Sequence, residues 1–256
     1  MPNWVRNKII VSNKSFLSEE IDKFISKNKN EIYLDFNKII MMPKDLEIEY
    51  SSKSDLAISL YMTFTNPDVS YFGLLSDKVD INKWNNVSNL LKENLIIKNN
   101  IILTCEEIEE SIKKYNDSFE EILELGKIQI NNLLKYNHIN WYSWSIENWG
   151  SKWNSINFNK INDNSFIYET AWSPSLQIPI ELSKTYPKIR FVHLYSDEAI
   201  GYNTGYMLVQ NGKIDYKGSF KDLSVDAYKL AFDLWDCEDD YIYDDVSKTF
   251  VYKDNE

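Results

Sequence analysis

The hydrophobic pattern at the start of the chain predicts a strand, a helix and a second strand. Residues 4–12 are rich in β-branched side chains, which is typical of a strand. Asn13 and Ser15 are candidate helix caps, and the residues after them repeat apolar side chains at helical spacing. The apolar positions of this predicted helix are Phe16, Leu17, Ile21, Phe24 and Ile25. Residues 32–42 then predict a second strand, which ends at Pro43.

The middle of the chain, from about residue 53 to residue 138, has the periodicity of helices. Asp80 is a candidate cap for a helix with the apolar face Ile81, Trp84, Val87, Leu90 and Leu91. Thr104 and Glu107 match a capping box, in which each side chain satisfies a backbone donor of the other residue. The apolar positions that follow the box are Ile108, Ile112, Tyr115, Phe119, Ile122 and Leu123.

Strand patterns return in the last third of the chain. Residues 165–172 and 189–195 predict strands, with a short helix from Pro179 between them. Residues 205–217 predict a hairpin that turns at Asn211-Gly212, the strongest short hairpin pattern.

The chain is predicted to end in a helix followed by a frayed tail. Asp222 is the expected cap of that helix, and residues from about 247 to 256 show no clear pattern. The apolar positions of the helix are Leu223, Ala227, Leu230, Ala231 and Leu234.

These elements predict an α+β fold. The simplest arrangement is a ferredoxin-like βαββαβ unit, an antiparallel sheet with helices on one face. Residues 1–52 and 139–256 would form it, and residues 53–138 would be a mostly helical insertion.

Composition limits the class of protein. The chain has 256 residues, 43% of them apolar, so it can bury a core without disulfides or metals. It has two cysteines without a CxxC pair, no apolar leader and no run of 18 apolar residues, which predicts a cytoplasmic protein without membrane contact. A net charge of −11 opposes direct nucleic-acid binding and suits a partner with a basic surface.

Enzyme motifs are missing from the sequence. It contains no Gly-rich phosphate loop, GxSxG or HExxH motif, and neither His138 nor His193 has a second ligand at metal-binding spacing. We therefore expect no cofactor, no metal and no catalytic residues. The acidic residues between Asp233 and Asp245 lack the EF-hand pattern and are interpreted as a solvated face.

The most distinctive segment is rich in tryptophan. Five of the eight tryptophans lie between residues 141 and 172, namely Trp141, Trp144, Trp149, Trp153 and Trp172. One interpretation is that these indoles form the core. The other is a binding pocket or interface, in which Asn148, Lys152 and Thr170 supply the polar groups. Both can hold for different members of the group.

Four strings of residues carry a family resemblance. MPNWVRN, WYSWSIENWGSKW, TAWSP and YSDEAIGYNTGY resemble, in that order, the YubB-like (Api-like) proteins of phages and conjugative plasmids. The family commonly opens with MPNWC, where this chain has Val5, and the serines at 143, 145, 151 and 175 also differ from the commonest family residues. The resemblance leaves out the helical block. It implies a ferredoxin-like domain and a mobile-element origin, and it implies no enzymatic activity.

Three hypotheses for function follow, the last of which is a scaffold in particle or plasmid biology with no inhibitory role. The first is a non-enzymatic protein of a phage or plasmid that binds a host protein complex, such as a CRISPR effector, and inhibits it. In this hypothesis the acidic faces meet a basic surface of the partner, and one such face is Glu106, Glu107, Glu109 and Glu110. The alternative is a small-ligand-binding protein or enzyme whose pocket is the Trp-rich segment.

Overall fold

The chain divides into two compact units in the computed structural model. The structure describes residues 2–29, 31–49, 51, 53–65, 85–86, 88–89, 91, 102–115 and 118–253. The sheet unit comprises Met1–Met42 with Ser145–Glu256, and the helical unit comprises Pro43–Trp144. No helix in the described part of the chain is long and apolar enough to cross a membrane.

A six-stranded antiparallel sheet is the centre of the sheet unit. Its strands, in chain order, are β1 (Trp4–Val11), β4 (Ile156–Asn162), β5 (Ser165–Ala171), β6 (Arg190–Asp197), β7 (Gly205–Gln210) and β8 (Lys213–Ser219). Their spatial order is β4-β5-β1-β6-β7-β8. Two further strands, β2 (Ile25–Asn28) and β3 (Glu31–Leu34), pair with each other in a separate hairpin.

The first four strands of this order have the ferredoxin-like arrangement. β5 and β6 both pair antiparallel with β1, so they run parallel to each other on either side of it. The helix α5 (Gln177–Thr185) connects them, which makes a split βαβ unit. The predicted α+β, ferredoxin-like fold is therefore confirmed, with β7 and β8 added at one edge.

The inner face of the sheet carries the core. β1 alternates between buried and half-buried residues, and Val5, Ile9 and Val11 are buried. Opposite them lie Phe166 and Phe191, both fully buried. This alternation fixes the register, because a shift of one residue would turn the apolar side chains of β1 away from the core.

The outer face of the sheet also contacts a helix. The helix α6 (Val225–Trp235) lies over β1, where the Lys8 Nζ is 2.7 Å from Asp233 Oδ2 and Arg6 donates to the Leu234 carbonyl at 3.1 Å. Arg6 and Lys8 point away from the core because they alternate with Val5, Asn7 and Ile9 along the strand. The helix α6 therefore packs on the outer face of the sheet at β1.

The segment after β1 differs from the prediction of a regular helix and a long strand. Phe16–Glu20 is a π-helical turn and Ile21–Phe24 a 3₁₀ turn, after which the chain enters β2. The second predicted strand stops at Leu34, because Asp35 caps a 3₁₀ turn by accepting a hydrogen bond from the Asn37 backbone N–H at 3.1 Å.

In the described residues of the helical unit, the chain forms the helices α1 (Ser54–Phe64), α2 (Cys105–Lys114) and α3 (Phe119–Tyr136). A further helix, α4 (Trp141–Trp149), includes the boundary with the sheet unit. The predicted Thr104–Glu107 capping box is present, with bonds of 2.8 and 3.2 Å. A second box, Ser118–Glu121, starts α3, so the periodic segment is two helices. The helix predicted from Asp80 lies mostly outside the described residues.

Close approach of α1 and α3 organises the core of the helical unit. A Cβ atom on Gly126 would collide with the carbonyl of Ala57, so only glycine fits at this crossing. Buried apolar residues of the helical unit pack in one cluster of Ala57, Leu60, Ile108 and Ile122 and in another of Ile58, Met62, Leu91, Ile130, Leu133 and Ile139.

The C-terminal part confirms one turn and corrects two helix starts. Asn211 and Gly212 turn the β7–β8 hairpin with φ of 50° and 72°, as predicted. Ser224, rather than Asp222, caps α6, because its Oγ accepts from the Ala227 N–H at 3.2 Å. α5 begins at Gln177, two residues before Pro179.

The predicted frayed tail is a hairpin up to Tyr252. Its strands are β9 (Tyr241–Asp244) and β10 (Thr249–Tyr252). Their aromatic side chains pack on α6, with the rings of Tyr241 and Phe250 each 5.1 Å from the ring of Phe232. Burial of these rings against the helix explains why the segment is ordered despite its weak strand pattern.

Candidate functional site

Two indoles of the Trp-rich segment lie together at the surface of the sheet unit. Trp153 is 40% exposed and Trp172 is 45% exposed. Their ring centroids are 5.0 Å apart with the planes tilted by 46°. The Lys152 Nζ lies 4.8 Å from the centroid of Trp153 and 5.0 Å from that of Trp172. We call Lys152, Trp153 and Trp172 the Trp153–Trp172 surface.

Trp172 has an unusual backbone conformation. It follows β5 with a φ of 63°, a region that bulky side chains seldom occupy. The Ser173 N–H donates to the Ala171 carbonyl at 2.9 Å, which makes Trp172 the central residue of the strained form of the γ-turn. The Trp172 N–H donates to the Asn3 carbonyl at 2.8 Å.

The two segments that carry the indoles are joined by hydrogen bonds. The Ser173 Oγ donates to the Gly150 carbonyl at 2.7 Å, and the buried Ser145 Oγ donates to the Lys152 carbonyl at 2.8 Å. Gly150 has a φ of 78°, and a Cβ atom there would collide with Gln177 Oε1. These contacts fix the backbone on both sides of the surface.

A buried chain of hydrogen bonds continues below the surface. The Thr170 Oγ1 donates to the Ser173 carbonyl at 2.8 Å and accepts from Asn7 Nδ2 at 2.9 Å. Asn7 Oδ1 in turn lies 2.9 Å from His193 Nε2. Thr170, Asn7 and His193 are all fully buried. Thr170 therefore lies beneath the indoles as a supporting group and does not line a pocket.

The hydrogen bonds of Asn7 define the tautomer of His193. Asn7 Nδ2 donates to the Val5 carbonyl and to Thr170, so Asn7 Oδ1 is the acceptor and His193 Nε2 carries the proton. The other nitrogen, Nδ1, is buried without a hydrogen-bond partner. Burial lowers the pKa of His193 to about 3, so the ring is neutral at physiological pH.

The remaining residues of the Trp-rich segment occupy other positions. Trp144 is 7% exposed and Trp149 is 4% exposed, and the Trp149 Nε1 donates to the Ile40 carbonyl at 2.9 Å. Asn148 is half-buried. Trp141 is half-buried in the helical unit, edge to face with Tyr142. The two interpretations thus apply to different tryptophans, with Trp144 and Trp149 buried and Trp153 and Trp172 exposed.

The acidic residues lie on solvated faces. Glu106, Glu107, Glu109 and Glu110 are exposed on α2. The pKa of Glu107 is lowered by its hydrogen bonds from the Thr104 backbone and side chain. The pKa of Asp244 is lowered by hydrogen bonds within its own turn, first from the Ser247 hydroxyl. Among the described residues, no three His, Cys, Asp or Glu side chains are grouped so as to hold a metal ion.

A cleft of about 510 Å³ opens elsewhere on the sheet unit, and the sequence did not indicate it. It lies between residues 14–18 and 160–163. Each of its lysines is paired with a carboxylate, Lys14 with Asp163 at 3.2 Å and Lys160 with Asp22 at 2.9 Å. Because both lysines are neutralised in this way, the cleft has no net charge that would attract a charged ligand.

The sequence did not indicate that Asn7, His193, Gly150 and Ser173 belong to the site. Strand alternation places Asn7 and His193 on the inner face of the sheet, where buried polar side chains need hydrogen-bond partners. This alternation could have indicated that the two residues bond to each other. Nothing in the sequence indicated the positive φ of Trp172. If the strand continued, Trp172 would face the core like the buried Thr170 two positions before it.

A family model that matches part of the chain agrees with the ferredoxin-like arrangement. Residues 148–238 match the family model described as a ferredoxin-like domain in Api92-like protein. No curated protein matches the sequence of the chain. A crystal structure of a protein api92 from Yersinia pseudotuberculosis is similar at 12% identity with a TM-score of 0.35, covering 86% of this chain and 99% of that chain. Residues 148–238, which contain β4 to β8, α5 and α6, thus carry a ferredoxin-like domain similar to that of Api92-like proteins.

Proposed function

We propose that this chain is a non-enzymatic binding protein of a phage or plasmid, which contacts a host protein complex in the cytoplasm through the Trp153–Trp172 surface. The observation that carries the proposal is the exposure of two adjacent indoles, at 40% and 45%, on a firmly bonded part of the fold. Tryptophan is enriched among the few residues that dominate binding energy at protein interfaces. A pair of such rings supplies the centre of a contact.

The backbone of Trp172 supports this role. A residue held in a sparsely populated conformation costs about 1–3 kcal/mol, and such residues cluster at functional sites. Burial of the indole in this chain does not offset that cost, since 45% of the residue stays exposed. Burial of the remaining exposed part by a partner would offset some of that cost, because apolar surface that leaves water contributes about 25 cal/mol per Å².

The charge of the chain supports a basic partner. With a net charge of −11, the exposed acidic faces on α2 and at residues 236–245 would speed the encounter with a surface rich in Lys and Arg. CRISPR effectors hold nucleic acid in positively charged channels, so an effector complex is the specific target that we propose. The chain itself would not contact nucleic acid, because like charges repel.

The mobile-element origin is proposed from the sequence resemblance to YubB-like (Api-like) proteins. The match of residues 148–238 to the domain of Api92-like proteins supports the family part of that resemblance. The origin itself is a separate proposal, which the genomic neighbourhood of the coding sequence would test.

The function can be tested in cells with an active CRISPR effector. Such cells reject a plasmid that the effector targets, and the wild-type chain is expected to restore transformation. The double variant Trp153→Ala, Trp172→Ala should not restore it. Tyr216→Ala is the matched control, because Tyr216 is a 69% exposed aromatic residue of the edge strand β8. In the sheet, β8 lies four strands from β5, the strand that precedes Trp172.

The outcomes separate the parts of the proposal. Loss of protection by the double variant, at an unchanged melting temperature, would support the Trp153–Trp172 surface. Protection by the double variant equal to that of the wild type would exclude this surface. No protection by the wild type would exclude the effector as the target.

The geometry favours a contact surface over the alternative of a ligand pocket. Thr170, one of the polar groups expected in such a pocket, is fully buried and bonded to Ser173. The N–H of Trp149 is already bonded to Ile40. The exposed indoles are packed against each other at 5.0 Å, which leaves no space for a ligand between the two rings.

A further inference from the structure

We infer that Thr170, fixed by Asn7 and His193, is a positioning residue that holds Trp172 in its exposed orientation beside Trp153. This inference rests on the proposed function of the Trp153–Trp172 surface, and it identifies what sets the geometry of that surface. Neither Thr170 nor the two residues behind it would touch a partner, since all three are fully buried.

The first step of the argument is the turn that carries Trp172. The Thr170 hydroxyl reaches forward to the Ser173 carbonyl at 2.8 Å, so residues 170–173 form a closed loop with Trp172 near its apex. Inside this loop the Ser173 N–H donates to the Ala171 carbonyl at 2.9 Å. Without the Thr170 hydroxyl, the strained turn would lose its hydrogen bond to the Ser173 carbonyl, which closes the loop on the side that faces the core.

The second step is the direction of the hydrogen bonds. A threonine hydroxyl has one proton, and it can be donated to Ser173 only if the hydroxyl does not donate elsewhere. Asn7 Nδ2 is a donor to Thr170 Oγ1 at 2.9 Å, so the hydroxyl accepts there and its own proton is available for Ser173. Asn7 thereby fixes which way Thr170 points.

The third step is the orientation of Asn7. An amide could be turned by 180°, which would present Oδ1 to Thr170 and reverse the chain of bonds. The Val5 carbonyl, 3.0 Å from Asn7 Nδ2, prevents this, because a carbonyl oxygen can only accept. Asn7 Oδ1 then accepts from the N–H of His193 Nε2 at 2.9 Å. Donation therefore runs in one direction from His193 to Asn7, to Thr170 and to the Ser173 carbonyl.

The last step connects the turn to Trp153. The Ser173 Oγ donates to the Gly150 carbonyl at 2.7 Å, and Gly150 begins the segment that carries Lys152 and Trp153. A Cβ atom on Gly150 would also lie 3.0 Å from the Pro174 carbonyl, so the two segments are in close contact. The position of Ser173 therefore sets the spacing between the two indoles.

The inference has a readout that needs no partner. Two indoles with ring centroids 5.0 Å apart couple electronically and give an exciton couplet in far-ultraviolet circular dichroism. The couplet of this pair is measured as the difference spectrum between the wild type and Trp153→Phe. Thr170→Val removes the hydroxyl and keeps the shape of the side chain, while Thr170→Ser keeps the hydroxyl.

We expect Thr170→Val to reduce the amplitude of the couplet at least twofold and Thr170→Ser to retain it. Ser173→Ala, which removes the bond to Gly150 at a half-buried position, should also reduce it and serves if Thr170→Val does not fold. A full couplet in folded Thr170→Val, or in Ser173→Ala where Thr170→Val does not fold, would overturn the inference.

The same variants distinguish this inference from the proposed function. If Thr170→Val loses the couplet and still restores transformation like the wild type, the positioning role stands and the binding role of the surface fails. If Trp153→Ala, Trp172→Ala abolishes protection while folded Thr170→Val keeps the full couplet, the binding role stands and the positioning role fails.

Discussion

The indole of Trp149 donates its N–H to the carbonyl of Ile40 at 2.9 Å, although 109 positions separate the two residues. The same ring meets Phe36 edge to face, with centroids 5.9 Å apart. Trp149 therefore joins the end of α4 to the segment that follows β3. Trp153, four residues later, makes its ring contacts at the surface with Trp172 and Lys152.

Trp149→Ala should lower the free energy of unfolding by about 3–5 kcal/mol, because it leaves a cavity and an unpaired carbonyl. Trp153→Ala, at 40% exposure, should cost under about 1 kcal/mol and is the matched control. Urea unfolding followed by circular dichroism measures both. Equal losses for the two variants would contradict the division into buried and exposed indoles.

The buried His193 should make stability depend on pH. Its pKa is lowered by burial from 6.5 to about 3, so the unfolded chain binds one more proton than the folded chain between these values. Its contribution is thus complete above pH 6.5 and is lost as the pH falls towards 3, at about 1.4 kcal/mol per pH unit.

His193→Gln tests this dependence, since the glutamine amide can still donate to Asn7 and does not titrate. The difference in unfolding free energy between the wild type and this variant should shrink as the pH is lowered from 7 to 4. Carboxylates contribute equally to both chains and cancel in the difference. Parallel curves over this range would contradict the buried, neutral histidine.

Arg6 is expected to contribute strongly to the stability of the sheet unit, because it pairs with Glu169 of β5 and also contacts α6. Its guanidinium donates twice to Glu169 Oε1, at 2.6 and 3.0 Å, and lies 4.0 Å from the ring centroid of Trp235. Arg6→Ala should cost about 2–4 kcal/mol, because Glu169 remains buried without its cation.

Lys8→Ala provides the comparison for Arg6. Lys8 also pairs with α6, at 2.7 Å from Asp233, but the side chain of Asp233 is 56% exposed. Water replaces much of that interaction, so the loss should be under about 1 kcal/mol. Thermal melts of both variants should show the larger shift for Arg6→Ala, and the reverse order would contradict the assignment.

The acidic faces should act on the rate of association. Single exposed charge pairs contribute under about 1 kcal/mol, whereas their summed field speeds encounter and is screened over about 8 Å at physiological salt. Charge reversal of Glu106, Glu107, Glu109 and Glu110 should slow association with the partner at low salt and change dissociation little.

The control for the α2 face is reversal of four exposed acidic residues at 236–245, measured by surface plasmon resonance over a salt series. One of the two reversals should reproduce the effect of salt on the association rate. Association that is insensitive to salt and to both reversals would leave the Trp153–Trp172 surface as the principal contact.

Local sequence determined much of the secondary structure. The alternation of β1, the Asn211-Gly212 turn and the Thr104–Glu107 capping box were all predicted, since each depends on residues within a few positions of one another. Together with the family resemblance, these patterns were sufficient for the ferredoxin-like α+β class. Where long-range contacts compete, as for Phe16–Phe24, the local helical pattern was wrong.

Only the tertiary structure decided which tryptophans are exposed. The sequence places five indoles in one segment, and hydrophobicity is the same for each of them. Trp149 is buried because Phe36 and Ile40, distant in sequence, complete its environment. Trp172 has a backbone φ of 63° that strand periodicity does not predict. Its N–H donates to the Asn3 carbonyl, and the Thr170 hydroxyl donates to the carbonyl of Ser173, the next residue. The sequence pattern determines local backbone geometry. The exposure of each indole depends instead on which residues, distant in sequence, pack against its ring in the folded chain.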